Sequence, residues 1–132
     1  MLRYIATAAL TLMLALPAAA NEEIEGVISA QIDAFLEDDF ERAFTHASPT
    51  IRRTFRTPQR FGQMVRQGYP MVWRPEEVEF LSLEQREGGL WQTVLVRDGD
   101  GALHILDYQM IELDGRWLIN AVRLRRAPAG TV

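Results

Sequence analysis

The sequence predicts an α+β domain in which N-terminal helices pack on a curved, largely antiparallel sheet of four or more strands. As far as Gly68, apolar residues recur at spacings of three and four, which is typical of helices. From Val78 onward, apolar runs alternate with short turns rich in glycine and aspartate, which is typical of strands. The turns are too short for crossover helices, so neighbouring strands must be antiparallel. A chain of 132 residues has room for one such domain.

The first 20 residues have the pattern of an export signal. Met1–Arg3 is a short positive start, Tyr4–Leu16 is an apolar stretch of 13 residues, and Pro17 precedes the small residues Ala18–Ala20. An apolar stretch of this length is too short to span a bilayer. We predict a signal peptide over residues 1–20 and an exported, periplasmic or secreted protein that is not an integral membrane protein. A buried N-terminal helix is the alternative.

Residues 21–126 form the predicted single domain, and residues 127–132 a flexible tail. Within the domain, residues 21–46 have helical periodicity, with Asn21 as a candidate N-cap. Asp38-Asp39 predicts a break, because either aspartate can cap a second short helix through His46.

A further helical segment starts at Ser48-Pro49, since serine is a good N-cap and proline is tolerated in the first turn. Thr57-Pro58 marks a joint within it, and Gly68-Tyr69-Pro70 ends the helical half. Strands follow near residues 78–86, 90–97, 102–112 and 116–125.

Both faces of the last two strands are substantially apolar. One face of the strand at 102–112 carries His104, Leu106, Tyr108 and Met110, and the other carries Leu103, Ile105, Asp107, Gln109 and Ile111. The same alternation separates Trp117, Ile119 and Ala121 from Leu118, Asn120, Val122 and Leu124. Helices can cover one face only, so we predict a homodimer through the open sheet face, or else a sheet covered on one side.

Composition excludes several chemistries. The chain has no cysteine and two histidines, and all 14 of its basic residues are arginine, which excludes thiol nucleophiles and lysine Schiff bases. No spacing of histidines or acids suits a metal site, and no phosphate-binding loop occurs, so we expect no metal and no cofactor. The net charge of −4 argues against nucleic acid as a partner.

The order of helices and strands, ending in Asp114-Gly115-Arg116-Trp117-Leu118-Ile119, resembles the nuclear-transport-factor-2-like (SnoaL-like) cone fold. More closely, a succession of short motifs looks like a family of small exported bacterial proteins described only as a domain of unknown function. Those motifs are Ile32-Asp33-Ala34-Phe35, Ala43-Phe44, Ala47-Ser48-Pro49, Ile51-Arg52, Phe61, Met64-Val65 and Tyr69-Pro70. The resemblance implies a cone fold with a pocket between sheet and helices, which other members use for small apolar ligands or for catalysis.

Charges are segregated along the chain. Residues 21–41 carry eight acids and no arginine, whereas residues 42–75 carry seven arginines and no acid. The central arginines either form an anion-binding patch or pair with the acidic segments. The members of the predicted patch are Arg52, Arg53, Arg56, Arg60 and Arg66.

Aromatic residues near the junction of the two halves suggest an apolar cleft with a few polar groups, although ordinary core packing would also explain them. The predicted ligand-binding residues are Phe61, Tyr69, Trp73, Tyr108 and Asn120. Asp107 and His104 are weak catalytic candidates, because on one strand they project from opposite faces and cannot cooperate.

We therefore expect a non-enzymatic module that binds a small apolar ligand or another protein. The alternative is a pocket enzyme that catalyses proton transfer or dehydration on a small apolar substrate. A structural partner of another envelope protein is a third possibility that sequence alone does not separate from these.

Overall fold

The computed structural model describes residues 18–125, which form helices followed by a sheet. The helices are α1 (Ala18–Leu36), α2 (Phe40–Thr45), α3 (Pro49–Phe55), α4 (Pro58–Gly68) and α5 (Pro70–Trp73). The strands are β1 (Pro75–Arg86), β2 (Gly89–Asp98), β3 (Leu103–Leu113) and β4 (Arg116–Leu124). All four predicted strands are confirmed, to within three residues at each end. None of the helices between residues 18 and 125 has the length and apolar character that crossing a membrane requires.

The strands form one sheet in the order β1-β2-β3-β4, and every neighbouring pair is antiparallel. Residues with positive φ make the connections: Gly88 and Gly89 between β1 and β2, Gly101 between β2 and β3, and Asp114-Gly115 between β3 and β4. This backbone region favours glycine and tolerates aspartate, so local turn chemistry explains why the strand boundaries were predictable. The predicted α+β class and antiparallel meander are confirmed.

The helices cover one face of this sheet, here called the inner face. Its centre is formed by Val94 on β2 and by Leu106 and Tyr108 on β3, all of which are fully buried against the helices. From the helical side, Ile24, Ile28, Phe35 and Phe61 complete the core. The opposite, outer face of the sheet has no helix packed on it within residues 18–125.

The predicted break in the first helical stretch is confirmed. Asp38 has a φ of 55°, which ends α1, and the Asp39 side chain accepts a hydrogen bond from the backbone N–H of Arg42 to cap α2. Helix α1 starts at Ala18, three residues before the predicted N-cap Asn21. Most of the predicted signal peptide (residues 1–17) and the predicted tail (127–132) lie outside the described residues, so both stay predictions.

The predicted faces of the last strand are wrong beyond Ile119. Ile119 pairs with Met110 and Ala121 pairs with Gln109, so Asn120 is an extra residue in a β-bulge. The bulge reverses the alternation, and Val122 therefore pairs with Tyr108 on the inner face. A strict period of two cannot reveal such an insertion.

Candidate functional site

A cavity of about 250 Å³ lies between the helices and the β3–β4 side of the sheet. Its wall is mostly apolar, and its polar side chains are Gln31, Tyr69, Tyr108 and Asn120. The remaining lining residues are Phe35, Ile51, Phe55, Phe61, Met64, Val65, Val72, Ile119, Ala121 and Val122. Such an apolar pocket with a few polar groups is the usual form of a small-molecule site.

Two capped helices form the apolar wall. The Ser48 side chain caps α3. Ile51 and Phe55 lie on the same side of this helix because they are four residues apart, and both line the cavity. The Thr57 side chain caps α4, which presents Phe61 to the cavity. The Phe61 ring lies 5.8 Å from that of Phe35 and 5.9 Å from that of Phe55, measured between centroids. These aromatic contacts hold one side of the cavity in place.

Tyr108 lines the cavity and carries a hydroxyl in an unusual environment. Its side chain is fully buried, and its hydroxyl has no hydrogen-bond partner among residues 18–125. Burial, with a smaller contribution from Tyr69, raises the pKa of the Tyr108 phenol well above its ordinary value. The hydroxyl is therefore a neutral group that can donate one hydrogen bond and accept others.

The other polar side chains of the cavity are already engaged. The Tyr69 hydroxyl donates to the backbone carbonyl of Val122 at 3.1 Å, which ties the end of α4 to β4. The Gln31 amide donates to the backbone carbonyl of Ala43 at 3.2 Å. Both bonds are structural, so Tyr108 is distinguished by its unpaired hydroxyl.

Asn120 sits in a chain of hydrogen bonds at the bulge. The Ser48 hydroxyl donates to Asn120 Oδ1 at 2.8 Å, and Asn120 Nδ2 donates to Gln109 Oε1 at 3.0 Å. Gln109 in turn donates to the backbone carbonyl of Gly88 at 2.8 Å. The side chain of Asn120 therefore joins α3 to the sheet and fixes the cavity wall at β4.

Four of the five predicted ligand-binding residues line this cavity: Phe61, Tyr69, Tyr108 and Asn120. Trp73 does not belong to the lining. Its indole N–H donates to Asp38 at 2.9 Å, and the centroid of its ring lies 4.0 Å from the guanidinium carbon of Arg74. The Arg74 guanidinium also binds both Asp38 oxygens, so the indole is held at the junction of α1 and α5.

Asp107 lies on the outer face, away from the cavity. It accepts hydrogen bonds from Thr93 at 2.8 Å and from Arg125 at 2.7 and 2.8 Å. These bonds, those from Arg125 above all, lower the pKa of the Asp107 carboxyl despite its burial. An ionised carboxylate with its oxygens so engaged is poorly suited to act as a general base.

His104 lies at the other end of β3, beside the turn from β2. Its Nε2 is 2.8 Å from Asp98 Oδ2, and this contact, together with backbone N–H donors, lowers the pKa of Asp98. Neither His104 nor Asp107 lines the cavity. No group of three or more potential metal ligands occurs among residues 18–125.

The predicted arginine patch divides into two parts. Arg66 lies over the rings of Phe40 and Trp73, at 5.2 and 5.8 Å from their centroids. The others form an exposed cluster on α3 and at the start of α4, here called the arginine cluster: Arg52, Arg53, Arg56 and Arg60. Within residues 18–125, none of these five guanidinium groups has a carboxylate within 4.0 Å, so internal pairing with the acidic segments does not occur there.

Most of the apolar cavity wall was not singled out as a site from the sequence. Ile51, Phe55 and Met64 line the cavity, but none of them was among the predicted ligand-binding residues. The same spacing of three and four marks core residues and pocket residues alike. A polar partner such as Gln31, buried on α1, carries no local signal either.

Comparison with known proteins agrees with this fold. The family model described as Domain of unknown function (DUF4864) matches residues 17–132. Among solved structures, a five-substitution variant of the designed protein Rd1NTF2_05 is 15% identical, with a TM-score of 0.54, over 80% of this chain and 99% of that chain. The protein Aln2 from a Streptomyces species is 14% identical, with a TM-score of 0.50, over 83% of this chain and 91% of that chain.

No curated protein matches the chain significantly. At identities this low, the two structural matches establish the fold alone. The chain therefore belongs to the family described as a domain of unknown function (DUF4864), and it has the nuclear-transport-factor-2-like cone fold that its sequence resembles.

Proposed function

We propose that the cavity binds a small, mostly apolar molecule that carries one hydrogen-bond acceptor. The observation that carries this proposal is the hydroxyl of Tyr108, which is buried in an apolar wall without a partner among the described residues. A buried polar group left unpaired costs about 1–3 kcal/mol. A carbonyl or ether oxygen on a ligand would accept the hydrogen bond and remove that cost.

The size of the cavity limits the ligand. An engineered apolar cavity of about 150 Å³ holds benzene, and this cavity has about 250 Å³. A molecule with one ring and a short substituent therefore fits, whereas most sites for larger ligands exceed about 300 Å³.

The geometry favours binding over proton transfer. No carboxylate or imidazole lines the cavity among residues 18–125, because Asp107 projects from the outer face and His104 contacts Asp98 at the turn. The raised pKa of Tyr108 keeps its phenol neutral at physiological pH, so it suits the role of a hydrogen-bond donor better than that of an acid or base.

A titration followed by ¹H–¹⁵N NMR tests the proposal with two probes. Acetophenone has a ring and a carbonyl, and isopropylbenzene has a similar shape without the acceptor. We expect both to shift the amide signals of Phe61, Ile119 and Val122 saturably, with acetophenone binding more tightly. Signals from exposed outer-face residues such as Leu103 should not move.

A matched pair of variants separates cavity binding from surface adsorption. Met64→Trp places an indole in the cavity lining, whereas the neighbouring Gln63 is exposed and outside it. We expect Met64→Trp to abolish the saturable shifts and Gln63→Trp to preserve them. No saturable shift with either probe, or equal behaviour of the two folded variants, would overturn the proposal.

We also propose that the arginine cluster binds an anionic partner after export of the protein. Its four guanidinium groups are exposed and have no carboxylate within 4.0 Å among the described residues, unlike those of Arg42, Arg74, Arg86, Arg97 and Arg125. Co-sedimentation with phosphatidylglycerol vesicles should be lost at high salt and on changing the four arginines to glutamine. Absence of binding at low salt would overturn this proposal. Export would be supported if protein recovered from the periplasm or the medium began at Asn21.

A further inference from the structure

We propose that the surface of an anionic lipid bilayer docks at the mouth of the cavity, with the arginine cluster against the lipid head groups. The inference rests on the proposed function and deepens it in two ways. It assigns the anionic partner of the cluster to a lipid surface, and it places that surface where the apolar ligand enters. Three features carry it: the composition of the mouth, the arginines beside the mouth, and the backbone of Arg56.

The mouth of the cavity is formed by the lining residues that are only half-buried. They are Ile51 and Phe55 on α3, Met64 on α4, Tyr69 just after it, and residues 120–122 on β4. The lining residues that α1, α5 and β3 contribute are buried and form the floor of the cavity. The cavity therefore opens between α3, α4 and β4, and most of the side chains at this opening are apolar.

The segments that form the mouth carry positive charge and no negative charge. Residues 42–75 and 115–125, which include every residue of the mouth, contain no aspartate or glutamate. Two arginines of the cluster directly follow the α3 residues of the mouth in sequence. Arg60 precedes Met64 by four positions on α4, so it lies on the same side of that helix. The structure therefore exposes an apolar opening that is edged by arginines.

Arg56 occupies a backbone position that suits glycine better. Its φ is 70° and its ψ is −42°, and the backbone N–H of Thr57 donates to the carbonyl of Phe55 at 2.8 Å. This is a γ-turn with a positive φ at its centre, which is rare and strained for a residue with a Cβ. Such strain is found mainly at functional sites. The Arg56 guanidinium makes no ion pair among residues 18–125, so its charge points to a partner outside them.

A bilayer matches this surface better than a soluble anion does. A free phosphate or carboxylate would satisfy the guanidinium groups and leave the apolar side chains of Phe55 and Met64 in water. A bilayer supplies anionic head groups for the arginines and, beneath them, an apolar phase for the mouth. The ligand proposed above is mostly apolar and concentrates in that phase. Docking at the mouth therefore brings the cavity to its ligand.

Vesicle binding by an Arg56 variant tests the surface. At matched ionic strength, we expect the full chain to co-sediment with phosphatidylglycerol vesicles and not with phosphatidylcholine vesicles. Arg56→Gly should weaken this binding about fivefold, the contribution of one arginine near an anionic surface. Its Tm should equal or exceed that of the wild type, because glycine relieves the turn. Unchanged vesicle affinity would overturn the proposal, and a lower Tm would contradict the strain on which it rests.

Two substitutions that add the same negative charge on opposite sides of the domain locate the contact. Met64→Glu places the charge at the mouth, whereas Leu103→Glu places it on the outer face, where Leu103 is 57% exposed. We expect Met64→Glu to weaken binding to phosphatidylglycerol vesicles at least about fivefold, and Leu103→Glu less than about twofold. Equal losses would show that only the net charge matters, which would overturn the proposal.

Paramagnetic NMR of the wild type gives the orientation without any substitution. In phosphatidylglycerol nanodiscs that contain a lipid with a spin-labelled head group, the amide signals of Ile51, Phe55 and Met64 should broaden most, and that of Leu103 least. Lipid binding with the strongest broadening elsewhere would overturn this proposal and leave the anionic partner intact. Acetophenone titration without lipid separates it from ligand binding: broadening at the mouth without acetophenone binding would support docking and contradict the ligand proposal alone.

Discussion

Tyr108 on β3 stands directly opposite Gln92 on β2, and each of these fully buried side chains carries an oxygen without a hydrogen-bond partner among residues 18–125. The Gln92 amide nitrogen is satisfied by the carbonyls of Ser82 and Thr93. Tyr108 alone of the two lines the cavity. Its hydroxyl therefore adds little to the stability of the fold, and in the proposed function it binds the ligand instead.

Replacing Tyr108 by phenylalanine should leave the ligand-free protein as stable as the wild type, or raise the free energy of unfolding by about 1 kcal/mol. The change removes an unpaired hydroxyl and keeps the ring. Tyr69→Phe is the control, since it removes the bond to Val122 and should cost about 1 kcal/mol. Urea unfolding measures both variants; a large loss for Tyr108→Phe would mean that its hydroxyl has a structural partner.

Asp107→Asn should destabilise the fold by about 2 kcal/mol at pH 7, because it breaks the charge-assisted bonds from Arg125. The pKa of the Asp107 carboxyl is lower in the folded state than its value of about 3.9 in an unfolded chain. Its stabilisation is thus present above about pH 4 and is lost as the pH falls through the folded pKa.

Urea unfolding at pH 7 and at pH 3 or below tests this dependence. The difference between wild type and Asp107→Asn should shrink at the lower pH, whereas the exposed Glu112→Gln variant should differ little from wild type at either pH. A difference that does not change with pH would show that the charge of Asp107 is not the source of its contribution.

Gly62 and Gly26 should respond to alanine in opposite ways. A Cβ at Gly62 would lie 2.5–2.8 Å from ring atoms of Phe40, so Gly62→Ala should cost about 1–3 kcal/mol. A Cβ at Gly26 on α1 meets nothing within 4 Å, so Gly26→Ala should stabilise by about 0.5–1 kcal/mol. Thermal unfolding compares them, and equal shifts in Tm would contradict the close packing of α2 on α4.

Ser48→Ala should cost about 1–2 kcal/mol, because the buried hydroxyl caps α3 and also donates to Asn120. The structural change should extend to the bulge, so the amide NMR signals of Asn120 and Ala121 should shift more than those of residues on β1. Ser82→Ala, at an exposed position on β1, is the control. A loss no larger than that of Ser82→Ala would show that Ser48 does not hold the cavity wall.

The sequence predicted the elements well because their signals are local. The positive-φ turn at Asp114-Gly115 and the helix break at Asp38 are fixed by a few neighbouring residues. His104 and Asp107 cannot contact each other, because the period of two along β3 places their side chains on opposite faces of the sheet. In each case the determining interactions lie within a few positions of the residue concerned.

Features that depend on distant contacts were not predictable. The bulge at Asn120 accompanies a hydrogen bond from Ser48, which is 72 positions away. Trp73 was expected in the cleft, but Asp38 and Arg74 hold its indole elsewhere. No pattern of residue types near position 73 predicts that the indole contacts Asp38 and Arg74.

The most direct test of the cavity proposal is the affinity of Tyr108→Phe for the two NMR probes. If the Tyr108 hydroxyl donates to the ligand, the variant should bind acetophenone about 3- to 10-fold more weakly than the wild type does, which corresponds to about 0.5–1.5 kcal/mol. Its affinity for isopropylbenzene should be unchanged. An unchanged affinity for acetophenone, or an equal loss for both probes, would contradict the central claim that Tyr108 recognises an acceptor on the ligand.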